Sequence, residues 1–212
     1  MINLIFILSF TGTVAFAVAG AISAIEKKLD IFGVILCGFV TATGGGIFRD
    51  ILLSKTPPSI FTDYLSIQAS LVAALMTFIM AWAMKNSFES FVDKINGINN
   101  VFDAAGLGVF SVVGTNIAIQ HGFVNNAVFA VFLGVATGCG GGIVRDMMLS
   151  EIPAVLKKRI YALASIVGSL VYYEMSVKFG FSELTSTMTG IILIFVIRML
   201  ASRYHWNLPR AI

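Results

Sequence analysis

A chain of 212 residues that is 58% hydrophobic and only 12% charged, with a mean hydropathy of +0.92, cannot keep most of its surface in water, since soluble domains carry about 25% charged residues. Its net charge of +3 is small and its Lys and Arg are scattered, which excludes the basic face that nucleic acid demands of a partner. At roughly 20 apolar residues per bilayer crossing, the length accommodates about seven spanning helices, so the chain reads as an all-α integral membrane protein forming a single membrane domain over 1–212.

The first apolar stretch, near 3–25, runs into small residues as a secretory signal does, but no Lys or Arg precedes it, so it reads as the first membrane helix. Further stretches follow near 31–53, 63–84, 98–120, 126–149, 155–178 and 184–203, each about bilayer length. The connections are marked by Glu26-Lys27-Lys28, Pro57-Pro58, the polar run from Lys85 to Lys94, His121-Gly122 and Phe179-Gly180. Cys37 and Cys139 sit inside apolar stretches and read as small buried residues rather than as a disulfide or zinc site. Seven spans put Lys27, Lys28, Lys85, Lys94, Lys157, Lys158, Arg159, Arg203 and Arg210 on one side, against Lys55 and Lys178 on the other. The positive-inside rule then predicts a cytoplasmic C-terminus and an external N-terminus.

Gly38, Thr41, Gly44-Gly45-Gly46-Ile47, Arg49-Asp50, Leu53-Ser54 and Pro57 recur 96 positions later, from Gly134 through Asp146 to Pro153. The opening helices repeat at a spacing of 94, pairing Gly12, Phe16 and Gly20 with Gly106, Phe110 and Gly114. The chain therefore divides into repeat one at about 3–84, repeat two at about 98–178, and an extra helix at about 184–203. Three spans per unit make the second unit inverted, an arrangement that places a solute path near the midplane on interrupted helices.

The second and fifth helices carry the glycine triplets Gly44, Gly45, Gly46 and Gly140, Gly141, Gly142. Each glycine lowers helix propensity by about 1 kcal/mol relative to alanine, so a run of them marks a place where a helix kinks or unwinds and frees carbonyls toward a water-filled path. The alternative is close helix packing by small residues; recurrence in both units, with Thr41 and Thr137 a turn upstream, favours the path. The triplets lack the ending of a phosphate-binding loop, which excludes nucleotide.

Arg49-Asp50 and Arg145-Asp146 follow one turn later at membrane depth, where they must be paired or wet. Two readings stand: charges that flank and gate a path, or structural ion pairs. Asp103 and Arg145 are expected at the same edge, so a bridge between them is predicted. Arg198 is expected to snorkel to the headgroups, and Trp206 to anchor at the interface. His121 and His205 have no metal or proton-relay context. No zinc-protease motif, catalytic triad or Cys/His cluster is present, so the chain does not read as an enzyme.

The duplicated Gly-Gly-Gly-Ile-x-Arg-Asp at 44–50 and 140–146, with the ending Arg198-Met199-Leu200-Ala201 through Trp206-Asn207-Leu208-Pro209, resembles the bacterial branch of the trimeric intracellular cation (TRIC) channel family, also grouped under an older label as a glycine transporter domain. The resemblance covers nearly the whole chain. It implies a three-plus-three-plus-one fold, a homotrimer, and a pore in each protomer between the second and fifth helices that passes potassium and also sodium. It further implies that the glycines kink the pore helices while Thr41, Thr43 and Thr137 contribute oxygens; Cys139 stands where Thr43 stands in the first unit. No cofactor is implied beyond the conducted ion and bound lipid. The basic lipid-contacting motif of the animal members is missing, so phosphoinositide regulation is not expected, and a bacterial inner membrane is the expected location. A passive potassium channel is the leading expectation, a secondary transporter of glycine or a similar small zwitterion the second, and a non-conducting scaffold the third.

Overall fold

The computed structural model describes residues 4–84, 88–157 and 160–206, with side chains described outside 88–96 and 157. Lys85, Lys158, Arg159, Arg210 and Asn207-Leu208-Pro209, together with the side chains of Lys94 and Lys157, fall outside that set. Among the described residues, seven helices are long and apolar enough to cross a membrane by length and composition, the sixth only together with the π-turn that prolongs it: α1 (Leu4–Glu26), α2 (Ile31–Leu52), α3 (Tyr64–Ala83), α4 (Phe88–Ala118), α5 (Ala127–Met148), α6 (Ile160–Tyr173) and α7 (Glu183–Arg203). The π-turns Ile119–Phe123 and Glu174–Lys178 prolong α4 and α6. Short helical turns, Ser59–Phe61 and Ala154–Lys157, follow α2 and α5. The protein is thus an all-α integral membrane protein.

The two motif helices start and stop alike because their boundary residues are alike. Asp30 caps α2 by accepting from Gly33 N at 2.8 Å, and Asn126 caps α5 by accepting from Phe129 N at 3.0 Å; each occupies one of the orphan amides of a helix start. Both helices end in a left-handed serine, Ser54 at φ 54° and Ser150 at φ 56°. That turn folds Lys55 N back to Asp50 O and Glu151 N back to Asp146 O, each at 2.8 Å.

Two expectations are corrected at this level. Of the polar run from Lys85 to Lys94, expected as a connection, the part from Phe88 onward is already helical and belongs to α4, and Lys85 to Ser87 lie outside the described residues. With no proline or glycine from Phe88 to Asn96 to stop it, the helix starts well before the apolar stretch expected near 98. The glycine triplets do not interrupt α2 or α5 either: both helices run unbroken through residues 44–46 and 140–142. Instead they let the two backbones touch. A Cβ on Gly45 would strike the carbonyl oxygen of Thr137, and one on Gly141 that of Thr41. A Cβ on Gly140 would stand 3.0 Å from the Cα of Gly45, and one on Gly44 3.4 Å from the Cα of Gly141. The partner helix covers the weak point of each, so close approach wins over unwinding.

The same reciprocity holds for α1 and α4, where Gly12 lies against Phe110 and Gly106 against Phe16. Residue i meets j while j's twin meets i's twin, as a two-fold relation requires. Helix α4 is central, with 78% of its apolar window buried, whereas α3 has 17% buried and presents Leu71, Val72, Met76 and Met80 outward. Helix α7 packs over α4 and α6 through Gly190, Ile194 and Arg198.

Candidate functional site

The chemistry of this bundle lies in the charged pairs at the ends of α2 and α5. Arg49 donates from Nε to Asp50 Oδ1 at 2.8 Å, and Arg145 does the same to Asp146 Oδ1 at 2.8 Å. The second carboxylate oxygens accept from the backbone beyond each helix, Asp50 from Ser59 N at 2.7 Å and Asp146 from Ala154 N at 2.6 Å. Each aspartate therefore ties its own arginine to the turn that leads into the next helix. All four residues are buried, and pairing offsets the large penalty of placing charge at membrane depth.

The predicted bridge from Asp103 to Arg145 is present, with Nη1 to Oδ1 at 2.9 Å. Arg198 does not snorkel. It is 2% exposed, its guanidinium lies 4.6 Å above the Tyr161 ring, and its Nη2 donates to Asn100 Oδ1 at 3.2 Å and stands 3.8 Å from Asp103 Oδ2. The face of α7 that carries it is the face packed on α4, so a carboxylate and an aromatic ring are nearer than the headgroups.

A cavity opens at each charged pair, that at Arg145 mostly polar and that at Arg49 of mixed lining, with Ile5, Phe6 and Phe110 beside its polar residues. One, of about 310 Å³, is lined by Ser9 and Thr13 of α1, by Thr43, Gly46, Arg49 and Asp50 of α2, and by Asp63. The other, of about 430 Å³, is lined by Ser23 of α1, by Asn99 and Asp103 of α4, and by Arg145 and Asp146 of α5. They lie toward opposite ends of α1, the first near its start and the second near its finish. A Lys27–Glu151 ion pair stands at the rim of the second. We refer to them as the Arg49 and Arg145 vestibules.

The residues expected on the path divide between these vestibules and helix contacts. Thr43 and Gly46 line the Arg49 vestibule. Gly44, Gly45, Gly140 and Gly141 form the α2–α5 contact, while a Cβ on Gly142 would meet the Tyr161 hydroxyl at 3.4 Å and an Arg145 nitrogen at 3.7 Å. Thr41 and Thr137 donate to the carbonyls of Cys37 and Leu133, both at 2.6 Å, and pack against Gly20 and Gly114. Beside the glycine contact, Thr43 and Cys139 border a groove of about 690 Å³ between α2 and α5. That groove is walled by Phe39, Phe48, Phe132 and Val144, an apolar lining unsuited to a hydrated ion. Sequence reasoning missed Ser9, Thr13, Ser23 and Asn99, whose signal is a single polar side chain inside or at the edge of an apolar stretch.

A family model described as Glycine transporter matches residues 6–82 and 100–176. The inner membrane protein YadS of Escherichia coli (strain K12) is 34% identical over 206 residues, covering 97% of this chain and 95% of that protein. A membrane protein of Vibrio cholerae serotype O1 is 34% identical over 98% of this chain and 82% of its own. Among solved structures, a prokaryotic TRIC channel matches with a TM-score of 0.86 at 30% identity, covering 98% of this chain and 100% of that one. The TRIC trimeric intracellular cation channel orthologue from Rhodobacter sphaeroides matches with a TM-score of 0.84 at 30% identity, over 96% and 99% of the two chains.

Proposed function

The chain belongs to the trimeric intracellular cation (TRIC) channel family, and from that premise we propose that it is a passive channel for monovalent cations, potassium first and sodium second, working as a homotrimer in a bacterial inner membrane. The observation that carries this reading is the pair of vestibules at opposite ends of α1, each built on a buried Arg-Asp pair. The path runs within one protomer along α2 and α5, whose Arg-Asp pairs supply the charged mouths. Arg49 and Arg145, held by Asp50, Asp146 and Asp103, are the gating charges; moving one charge through the field is worth about 2.3 kcal/mol per 100 mV. The N-terminus faces outside and the C-terminus the cytoplasm, which puts the Arg145 vestibule, with Lys27, on the cytoplasmic side.

The second reading, transport of glycine or a similar zwitterion, is favoured by the description of the matching family model and by carboxylate and guanidinium groups standing together in each vestibule. Planar-bilayer recording in asymmetric potassium chloride, beside glycine uptake into liposomes, separates the two. Unitary currents reversing near the potassium equilibrium potential support the channel. Saturable glycine uptake without unitary currents makes the protein a transporter.

A further inference from the structure

Seven buried side-chain nitrogen and oxygen atoms among the described residues have no hydrogen-bond partner, and four of them belong to one place. It lies where α7 packs on α4 and α6, a turn away from the contact at Gly190, where a Cβ would stand 2.9 Å from Val112 Cγ2 and 3.2 Å from Tyr172 Cβ. One turn beyond Val112 on α4 is Asn116, and one turn beyond Tyr172 on α6 is Ser176. One turn before Gly190 on α7 are Ser186 and Thr187, both fully buried. The unpartnered atoms are Asn116 Oδ1, Ser176 Oγ, Ser186 Oγ and Thr187 Oγ1. Between them is the Tyr172 hydroxyl, which accepts from Asn116 Nδ2 and is faced by Ser176 and Thr187 without a hydrogen bond closing to either. Buried oxygens left without partners are costly, and here they gather from three helices on one point.

We propose that these oxygens form a binding site for one dehydrated monovalent cation of sodium or potassium size, between the extra helix and the second unit. Uncharged oxygen ligands replace the hydration shell of such an ion, and without a carboxylate among them the set is too weakly charged for calcium or magnesium. The local field selects a cation over an anion. Asn116 stands in the last turn of α4 and Ser176 in the π-turn that ends α6, so two negative helix ends oppose the single positive end of α7. The ionised group that acts on the Tyr172 hydroxyl is the Glu183 carboxylate, while Lys178 is tied to Glu174 at 2.8 Å. Both α4 and α6 widen into π-turns at this level, a departure common at functional sites. The twin of Asn116 in the first unit is Ile22, so the site belongs to the unit that α7 covers. It is separate from the path along α2 and α5 and independent of the channel reading.

The test is thermal unfolding of the purified full-length protein in detergent, in sodium, potassium and choline chloride at equal ionic strength. A ligand that binds only the folded state raises the melting temperature. Wild type should melt several degrees higher in sodium or potassium than in choline, with the gain rising with the cation concentration. The double variant Ser186→Ala, Thr187→Val removes two of the oxygens with little change of shape, and it should lose the gain while melting as wild type does in choline. Equal melting of wild type in all three salts means that the oxygens hold water alone, and it overturns the proposal. A gain that survives in the folded double variant places the stabilising ion elsewhere and also overturns it. If the double variant does not fold, wild-type crystals grown in thallium acetate decide: an anomalous peak among Asn116, Tyr172, Ser176 and Thr187 supports the site, and its absence overturns it.

Discussion

At the position that Ser9 holds in the first unit, the second unit carries Asp103, and this carboxylate is approached by both Arg145 and Arg198. Neither Asp103 nor Arg198 has a charged twin, since Arg198 comes from the extra helix. The pair is therefore an addition, one negative and one positive charge inserted together into an otherwise two-fold plan. Removing one member of a buried pair strands the other, at about 3–5 kcal/mol. Asp103→Ser alone and Arg198→Met alone should each destabilise the protein by that order, while the double variant, which gives the second unit the charges of the first, should lose less than the sum, with a coupling of about 0.5–3 kcal/mol. Thermal unfolding of the purified protein measures all three. Strict additivity would mean that Asp103 serves Arg145 and that Arg198 is held by Tyr161 and Asn100 without it.

Helices α2 and α5 assign different work to the glycines of one triplet. The middle glycines meet opposing backbone carbonyls, whereas a Cβ on Gly46 would find nothing nearer than an Arg49 nitrogen at 3.8 Å. Gly45→Ala or Gly141→Ala should force the helices apart and leave little folded protein in detergent. Gly46→Ala should fold normally, with up to about 1 kcal/mol of helix propensity in its favour; equal melting temperatures for Gly45→Ala and wild type would contradict the contact. This division also marks where the sequence stops being legible. Spans, charged pairs and the Asp103–Arg145 bridge could be read because hydropathy and charge act locally and the seven-residue motif at 44–50 recurs at 140–146. The outcome at the glycines could not, since the same propensity deficit permits a kink or a contact and only the partner helix decides. The fate of Arg198 depended in the same way on which face of α7 meets α4. The vestibules were hidden because Ser9, Ser23 and Asn99 become a lining only when α1 and α4 are brought together.

Over the whole molecule, the two mouths share a plan and differ in charge. The ionisable residues lining the Arg49 vestibule are Arg49, Asp50 and Asp63, one positive against two negative, net −1. Those lining the Arg145 vestibule are Lys27 and Arg145 against Glu26, Asp103, Asp146 and Glu151, two positive against four negative, net −2. A more negative mouth concentrates cations beside it and raises the current drawn from that side. With the Arg145 vestibule cytoplasmic, outward potassium current should exceed inward current at equal and opposite voltages in symmetric salt. The asymmetry should be marked near 0.01 M, where the screening length is about 30 Å, and nearly gone at 1 M, where it is about 3 Å. Glu151→Gln, at the rim of the larger vestibule, should reduce the low-salt asymmetry and leave the high-salt current unchanged. Rectification that persists at 1 M would place its origin in the gating charges rather than in the mouths, because a charge moving through the transmembrane field is not screened by salt in the vestibule.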